Sequence, residues 1–160
     1  MTQRLNILDR HALKISDIQD VIAKMGPLDG ATEFLAWLRE RCQVIILSDT
    51  FYQFAQPLMR QLGFPTLFCN QLEVDGSGRI VNYHMRMQDP KKHAVAALKS
   101  LNFLTMAAGD SYNDTAMLGE AHAGFFYCPP EHLPKEFPQF PVTQTYGALQ
   151  ERFAKAGQLQ

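Results

Sequence analysis

Residues 104–114 have the sequence Leu-Thr-Met-Ala-Ala-Gly-Asp-Ser-Tyr-Asn-Asp, a short apolar run that stops at Gly109-Asp110. An apolar run without polar alternation is typical of a strand covered on both faces in a parallel sheet. Asp110 therefore falls at the end of a predicted strand, and Asp114 follows four residues later. Because parallel sheets carry their ligand sites at the carboxyl ends of strands, this turn is the first candidate site.

The turn has the residue types of a site for a hard cation. Asp110 and Asp114 could converge on a cation through oxygen ligands, with Asn113 as a further polar contact, while Gly109 allows close approach of the backbone. The alternative is that Asp110 only caps the following helix, which is the commoner reason for Asp after a strand. Taken alone, the turn leaves both interpretations open.

Two further polar clusters stand at the ends of predicted elements. The apolar run 44–47 stops at Ser48-Asp49-Thr50, where a hydroxyl and a free backbone N–H could grip a phosphate oxygen, although all three residues are also ordinary helix caps. Lys91 and Lys92 follow Asp89-Pro90, a typical N-cap and first helical residue. A cation near a helix N-terminus is electrostatically disfavoured unless an anion faces it. A bound phosphate would explain the position of one of the two lysines, and the other is expected to be an ordinary solvated surface residue.

The rest of the chain predicts strands that alternate with helices. An S-x-x-Q capping box starts a helix at Ser16 that ends near Gly26, and an apolar stripe marks a second helix over 31–38. Strands are predicted at 44–47, 66–68, 104–108 and 124–126, with a hairpin over 72–83, helices over 90–98 and 146–156, and a Pro-rich surface stretch over 129–141. This alternation predicts a parallel sheet with helices on both faces and a β-hairpin insertion.

Composition excludes several classes of function. The chain has 160 residues, 46% of them hydrophobic, which fits one globular domain. Its 15 Lys and Arg balance 16 Asp and Glu, so nucleic acid is not an expected partner, and no apolar run is long enough for a membrane span. Three cysteines without a CxxC spacing, and a start without an apolar leader, indicate a reducing compartment and hence the cytoplasm.

In this order, Ser48-Asp49-Thr50, Asp-Pro-Lys-Lys at 89–92 and the acidic turn at 109–114 resemble the second, third and fourth motifs of the haloacid dehalogenase superfamily. The resemblance covers nearly the whole chain. It is closest to the phosphoserine phosphatases, in particular the bifunctional phosphoserine phosphatase/homoserine phosphotransferases, to which segments 45–52 and 137–141 are also similar. It implies a Rossmann-like α/β core over 28–160 and a remnant of a helical cap over 1–27.

The resemblance also implies aspartyl-phosphate chemistry with Mg²⁺ on a small phosphomonoester such as O-phosphoserine, with water or homoserine as acceptor. By matching position it assigns phosphate contacts to Ser48, Asp49 and Thr50, charge neutralisation to Lys91 or Lys92, Mg²⁺ ligation to Asp110 and Asp114, a supporting contact to Asn113, and the substrate carboxylate to Arg4.

The first motif of the superfamily, Asp-x-Asp-Gly or Asp-x-Glu after an apolar strand, should precede these residues. Nothing before Arg4 matches it, and neither Asp9 nor Asp75 has the required context. The expected consequence is a chain without its nucleophile and without the central strand between 44–47 and 104–108, which favours homo-oligomerisation. The chain is then an inactive truncated enzyme, a non-catalytic phosphate or phosphoserine-binding module, or half of a split enzyme.

Overall fold

A computed structural model describes residues 7–8 and 10–159 of the chain, so Arg4 and Asp9 lie outside the described residues. The chain divides into two compact units, one formed by the described residues up to 35 together with 43–87, and the other by 36–42 and the described residues from 88 onward. In chain order the elements are α1 (Ile15–Ala23), α2 (Ala31–Arg39), β1 (Ile45–Phe51), α3 (Tyr52–Gln61), β2 (Thr66–Val74), β3 (Ile80–His84), α4 (Pro90–Ser100), β4 (Met106–Gly109), a short 3₁₀ turn (Tyr112–Asp114), α5 (Thr115–Glu120), β5 (Ala123–Tyr127), α6 (Leu133–Glu136), β6 (Val142–Thr143) and α7 (Tyr146–Gly157).

The first unit is built around a three-stranded sheet in the order β1-β2-β3. β1 and β2 are parallel, and β2 and β3 form the predicted antiparallel hairpin. The sequence predicts two separate strands at 66–68 and 72–74, whereas the structure has a single long strand that pairs with β1 in its first half and with β3 in its second. Phe51, Leu72 and Ile80 form the buried core of this unit.

Two turns in the first unit depend on single carboxylates. Asp75 closes the hairpin, because its Oδ1 accepts hydrogen bonds from Ser77 N (2.9 Å), Ser77 Oγ (2.7 Å) and Arg79 N (3.0 Å). The predicted capping box at Ser16 is wrong: α1 begins at Ile15, and the N–H of Lys14 donates to Asp17 Oδ2 at 2.8 Å. The acidic side chain of Asp17 accepts from the N-cap N–H, so Asp17 has the role that the prediction gave to Gln19.

The second unit contains a parallel sheet in the order β4-β5-β6. Its core is formed by apolar side chains at most 2% exposed: Phe126, Leu118, Leu133 and Leu149. The prediction of a surface stretch over 129–141 is wrong at Leu133 and at Phe140, which is 8% exposed. The Phe140 ring packs edge to face against Phe126 with centroids 5.4 Å apart. Its aromatic contact therefore buries Phe140 in a segment that its prolines had suggested would lie on the surface.

The described strands confirm the predicted α/β class with parallel strands and a hairpin insertion. They form two sheets instead of one, and β1 and β4 are each an edge strand. Ile45, Ile46 and Leu47 on β1 are only half-buried, so the double-sided burial predicted for this run is not present. None of the described helices has the length and apolar composition to cross a membrane.

Candidate functional site

In the second unit the acidic turn after β4 is organised by the Asp114 carboxylate. One of its oxygens, Oδ2, accepts hydrogen bonds from Asp110 N (3.1 Å), Ser111 N (3.1 Å) and Ser111 Oγ (2.9 Å). The other, Oδ1, lies 2.8 Å from Lys91 Nζ on α4. This single side chain therefore holds both the loop and the lysine in place.

Gly109 makes this arrangement sterically feasible. A Cβ atom at position 109 would lie 2.4 Å from Asp114 Cβ and 2.7 Å from Asp114 Oδ2. Real Cβ atoms do not approach other heavy atoms this closely, so a larger residue would force the carboxylate out of the turn. The glycine in the Gly-Asp-Ser-Tyr-Asn-Asp sequence is required for space and not for an unusual backbone angle.

The Lys91–Asp114 pair is largely removed from water, with side chains 14% and 8% exposed. Burial alone would raise the pKa of Asp114, but the hydrogen bond and charge of Lys91, with the donors of Ser111, outweigh it and hold that pKa below its usual range. The Asp114 carboxylate is therefore ionised at neutral pH.

Asp110 differs from Asp114 in its surroundings. It is exposed, and within the described ranges its carboxylate accepts no hydrogen bond, although its backbone N–H is bonded to Asp114. Asn113 is also exposed. Within the part of the chain that the structure covers, no three His, Cys, Asp or Glu side chains come together as a metal cluster. The turn thus offers one carboxylate, that of Asp110, with its oxygens available to a ligand.

The two adjacent lysines have different environments. Lys91 points to Asp114, whereas Lys92 is exposed. The hydrogen bond and charge of Lys99 lower the pKa of Glu120, and the charge of Lys92 adds a smaller effect in the same direction. Asp89, which precedes them, occupies the N-cap position with φ 46° but makes no side-chain capping bond. The left-handed backbone at Asp89 is disfavoured before a proline, so local strain accompanies the start of α4.

In the first unit, Ser48, Asp49 and Thr50 form a bulge in β1. Leu47 pairs with Phe68 and Phe51 with Asn70, so three residues of β1 lie opposite one residue of β2. Within the bulge Thr50 N donates to Ser48 Oγ at 3.2 Å. Bulges interrupt the ladder and are frequent beside functional sites, and the predicted phosphate contacts at Ser48, Asp49 and Thr50 fall on this bulge.

The sequence-predicted residues thus fall into two groups. Lys91, Asp110 and Asp114 come together in the second unit, and Ser48 to Thr50 form one bulge in the first. Sequence reasoning missed Ser111, whose N–H and hydroxyl both bind Asp114. Its signal was present, because Ser followed three residues later by an acidic residue is the pattern of a capping box.

Residues 2–122 match the family model described as haloacid dehalogenase-like hydrolase. The chain is 62% identical over 156 residues to the phosphoserine phosphatase ThrH of Pseudomonas aeruginosa, covering 98% of this chain and 76% of that protein. It is 58% identical over 156 residues to a phosphoserine phosphatase of Pseudomonas syringae pv. tomato and spans 66% of its length.

Solved structures show the same fold at lower identity. A phosphoserine phosphatase determined as an analogue of the phospho-aspartyl intermediate superposes with a TM-score of 0.67 at 22% identity, covering 81% of this chain and 64% of that one. A probable phosphoserine phosphatase from Vibrio cholerae superposes with a TM-score of 0.69 at 20% identity, covering 87% and 46%.

Proposed function

This chain belongs to the haloacid dehalogenase-like hydrolase family, and we propose that it carries the phosphate-handling part of a phosphoserine phosphatase-type site, which transfers a phosphoryl group from a small phosphomonoester such as O-phosphoserine. The observation that carries the proposal is the acidic turn after β4, where Asp114 holds Lys91 at 2.8 Å beside the exposed Asp110 carboxylate. A half-buried lysine with its charge balanced and its position fixed is suited to meet a phosphoryl oxygen.

Within each unit the proposed phosphate contacts are of one kind, charge in the second unit and hydrogen bonding in the first. In the second unit Lys91 neutralises phosphoryl charge, and its partner Asp114 holds it in position. In the bulge of β1, the Ser48 hydroxyl and the Asp49 N–H hold phosphate oxygens. Because Thr50 N–H already donates to Ser48 Oγ, Thr50 contributes by orienting that hydroxyl. Lys92 is exposed, which favours Lys91 as the phosphate lysine.

The Asp110 carboxylate fits Mg²⁺, which prefers oxygen ligands and would supply polarisation of the phosphoryl oxygens when bound. Asp110 is the ligand we propose. Direct ligation by Asp114 stays a prediction, since both of its oxygens accept hydrogen bonds from protein donors. Support by Asn113 and capture of the substrate carboxylate by Arg4 also stay predictions, as do homoserine as acceptor, homo-oligomerisation and a cytoplasmic location.

The 160 residues contain neither Asp-x-Asp-Gly nor Asp-x-Glu, so the nucleophilic carboxylate of this chemistry is not among them. We therefore propose that these residues do not turn over O-phosphoserine by themselves. A phosphate-binding role without turnover, or activity on pairing with another chain that brings the carboxylate, are the alternatives that follow from the same site.

The test is hydrolysis of O-phosphoserine with Mg²⁺ by the 160-residue chain, compared with the same chain extended at its amino end by an apolar strand that ends in Asp-x-Asp-Gly. Turnover only by the extended form supports the proposal. In that form Lys91→Met should abolish turnover and Lys92→Met should leave it nearly unchanged, while Asp110→Asn should remove the Mg²⁺ dependence together with the activity. Turnover by the short chain, lost in Asp110→Asn, would refute the claim that the nucleophile is absent.

A further inference from the structure

Asn70 is a buried polar residue that lies where the bulge of β1 closes. It is 1% exposed and pairs with Phe51, the first residue of β1 that returns to the ladder after the bulge. A buried side-chain amide is costly unless its donors and acceptor are matched. Its partners therefore indicate what it does in the fold.

Both ends of the Asn70 amide are bonded to backbone in irregular segments. Nδ2 donates to the Asp49 carbonyl oxygen at 3.0 Å, inside the bulge. Oδ1 accepts from the N–H of Arg86 at 3.1 Å, in the segment that follows β3. One side chain thus ties the bulge of β1 to the segment that follows β3, beyond the reach of sheet hydrogen bonding.

The bond to Asp49 also determines the direction of the next donor. The carbonyl of Asp49 and the N–H of Thr50 belong to one planar trans peptide, so they point in opposite directions. With the carbonyl held by Asn70, the N–H is directed at Ser48 Oγ, which accepts it at 3.2 Å. One of the two lone pairs of the Ser48 oxygen accepts this bond, and the hydroxyl proton can be donated to an anion.

We propose that Asn70 is a positioning residue for the Ser48–Asp49 phosphate contacts, acting through the peptide between Asp49 and Thr50. The proposal rests on the proposed function for the phosphate itself, but the orientation of the bulge can be measured without any ligand. Asn70 lies 21 positions from Asp49 in the chain and was not among the residues that the sequence singles out.

The discriminating variant is Asn70→Asp, which removes the donor to Asp49 and keeps an acceptor for Arg86. Gln53→Glu is the matched control, because Gln53 makes the same type of paired contact with β2, donating to Leu72 O (2.8 Å) and accepting from Leu72 N (2.9 Å), without touching the bulge. Amide hydrogen exchange at Thr50, followed by NMR, reports the orientation of the peptide. We expect exchange to speed up about tenfold in Asn70→Asp, the size of one lost hydrogen bond, and to stay unchanged in Gln53→Glu.

Titration with inorganic phosphate, followed by the backbone amide shifts of Ser48 and Asp49, is the second readout. Affinity should fall about tenfold in Asn70→Asp and not in Gln53→Glu. Phosphate binding that both variants retain at full strength, with equal Thr50 exchange, overturns the positioning role and leaves the proposed function intact. Faster Thr50 exchange in Asn70→Asp, together with no phosphate binding by the unmodified chain, shows that Asn70 orients the peptide but overturns the phosphate contacts and with them the proposal.

A buried carboxylate could prevent folding, so Asn70→Ser provides the same comparison without a buried charge, with circular dichroism as the folding check. The unmodified chain gives a further test. One side-chain amide proton of the buried Asn70 should exchange much more slowly than those of the exposed Asn82. Equal exchange of the two side chains would overturn the proposal whatever the variants do.

Discussion

Replacement of Asp114 by Asn tests the organisation of the acidic turn directly. The amide has the shape of the carboxylate but only one acceptor oxygen, whereas Asp114 accepts four hydrogen bonds, one from Lys91 and three from the loop backbone and Ser111. Its NH₂ group would therefore face a donor, and Lys91, with a side chain 14% exposed, would lose the charge of Asp114. Breaking a pair this buried should lower the free energy of unfolding by about 2–4 kcal/mol at neutral pH.

Urea unfolding followed by the fluorescence of Trp37 measures this change, since the only tryptophan of the chain lies in the same unit as Asp114. Glu120→Gln is the control. Its carboxylate also meets a lysine at 3.0 Å, but its side chain is 25% exposed, and Lys99 Nζ keeps its bond to the Glu120 backbone carbonyl. A much smaller loss is expected there. Equal losses in the two variants would refute the claim that Asp114 organises the turn.

The effect of Asp114 should depend on pH in a defined direction. Because the folded-state pKa of Asp114 is lower than its unfolded value, its stabilising contribution is fully present above the unfolded pKa and is lost as the pH falls through the folded pKa. The stability difference between the unmodified chain and Asp114→Asn should thus be constant near neutrality and shrink only below about pH 4. A difference that shrinks already between about pH 5 and 7 would contradict this assignment.

Two further predictions concern space and reactivity. Gly109→Ala should lower the free energy of unfolding by about 2–3 kcal/mol, because the new methyl would lie 2.4 Å from Asp114 Cβ. Gly147→Ala is the control: a Cβ there has nothing within 4 Å, so the change should be neutral or slightly stabilising in thermal unfolding. Equal effects of the two variants would count against the steric argument. Burial raises the pKa of the Cys69 thiol to about 11. Alkylation at about pH 8, followed by mass spectrometry, should therefore modify the exposed Cys128 first and Cys69 only after denaturation. Early labelling of Cys69 would show that its thiol is accessible.

The positions of the elements were largely predictable from the sequence, because apolar runs and turn residues are local signals. The run ending at Gly109 became β4, and the helix after Asp89-Pro90 became α4. The predicted break at Ser48 marks an irregular segment, but the strand continues through it to Phe51 as a bulge. The local sequence pattern shows where regular strand pairing is interrupted. It does not show whether the strand pairs with its neighbour again after the interruption.

The contacts that give the site its geometry were harder to predict. Lys91 and Asp114 are 23 positions apart, and Asn70 and Asp49 are 21 apart. Such pairs depend on which elements pack together, and no periodicity along the chain encodes them. The lysine that contacts Asp114 could not be chosen from the sequence either, since Lys91 and Lys92 are neighbours and only the rotation of α4 distinguishes them.

The saturated carboxylate of Asp114 has an evolutionary consequence. A lone change at Lys91 removes the donor to Asp114 Oδ1, and a lone change at Ser111 removes one of the three donors to Oδ2. A lone change at Asp114 removes the acceptor of all four hydrogen bonds, and a lone change at Gly109 leaves no room for the carboxylate. Viable sequences should therefore either keep all four residues or replace several of them at once. Across related sequences these positions should covary as a block, while Lys92, one residue from Lys91 but exposed, should drift independently.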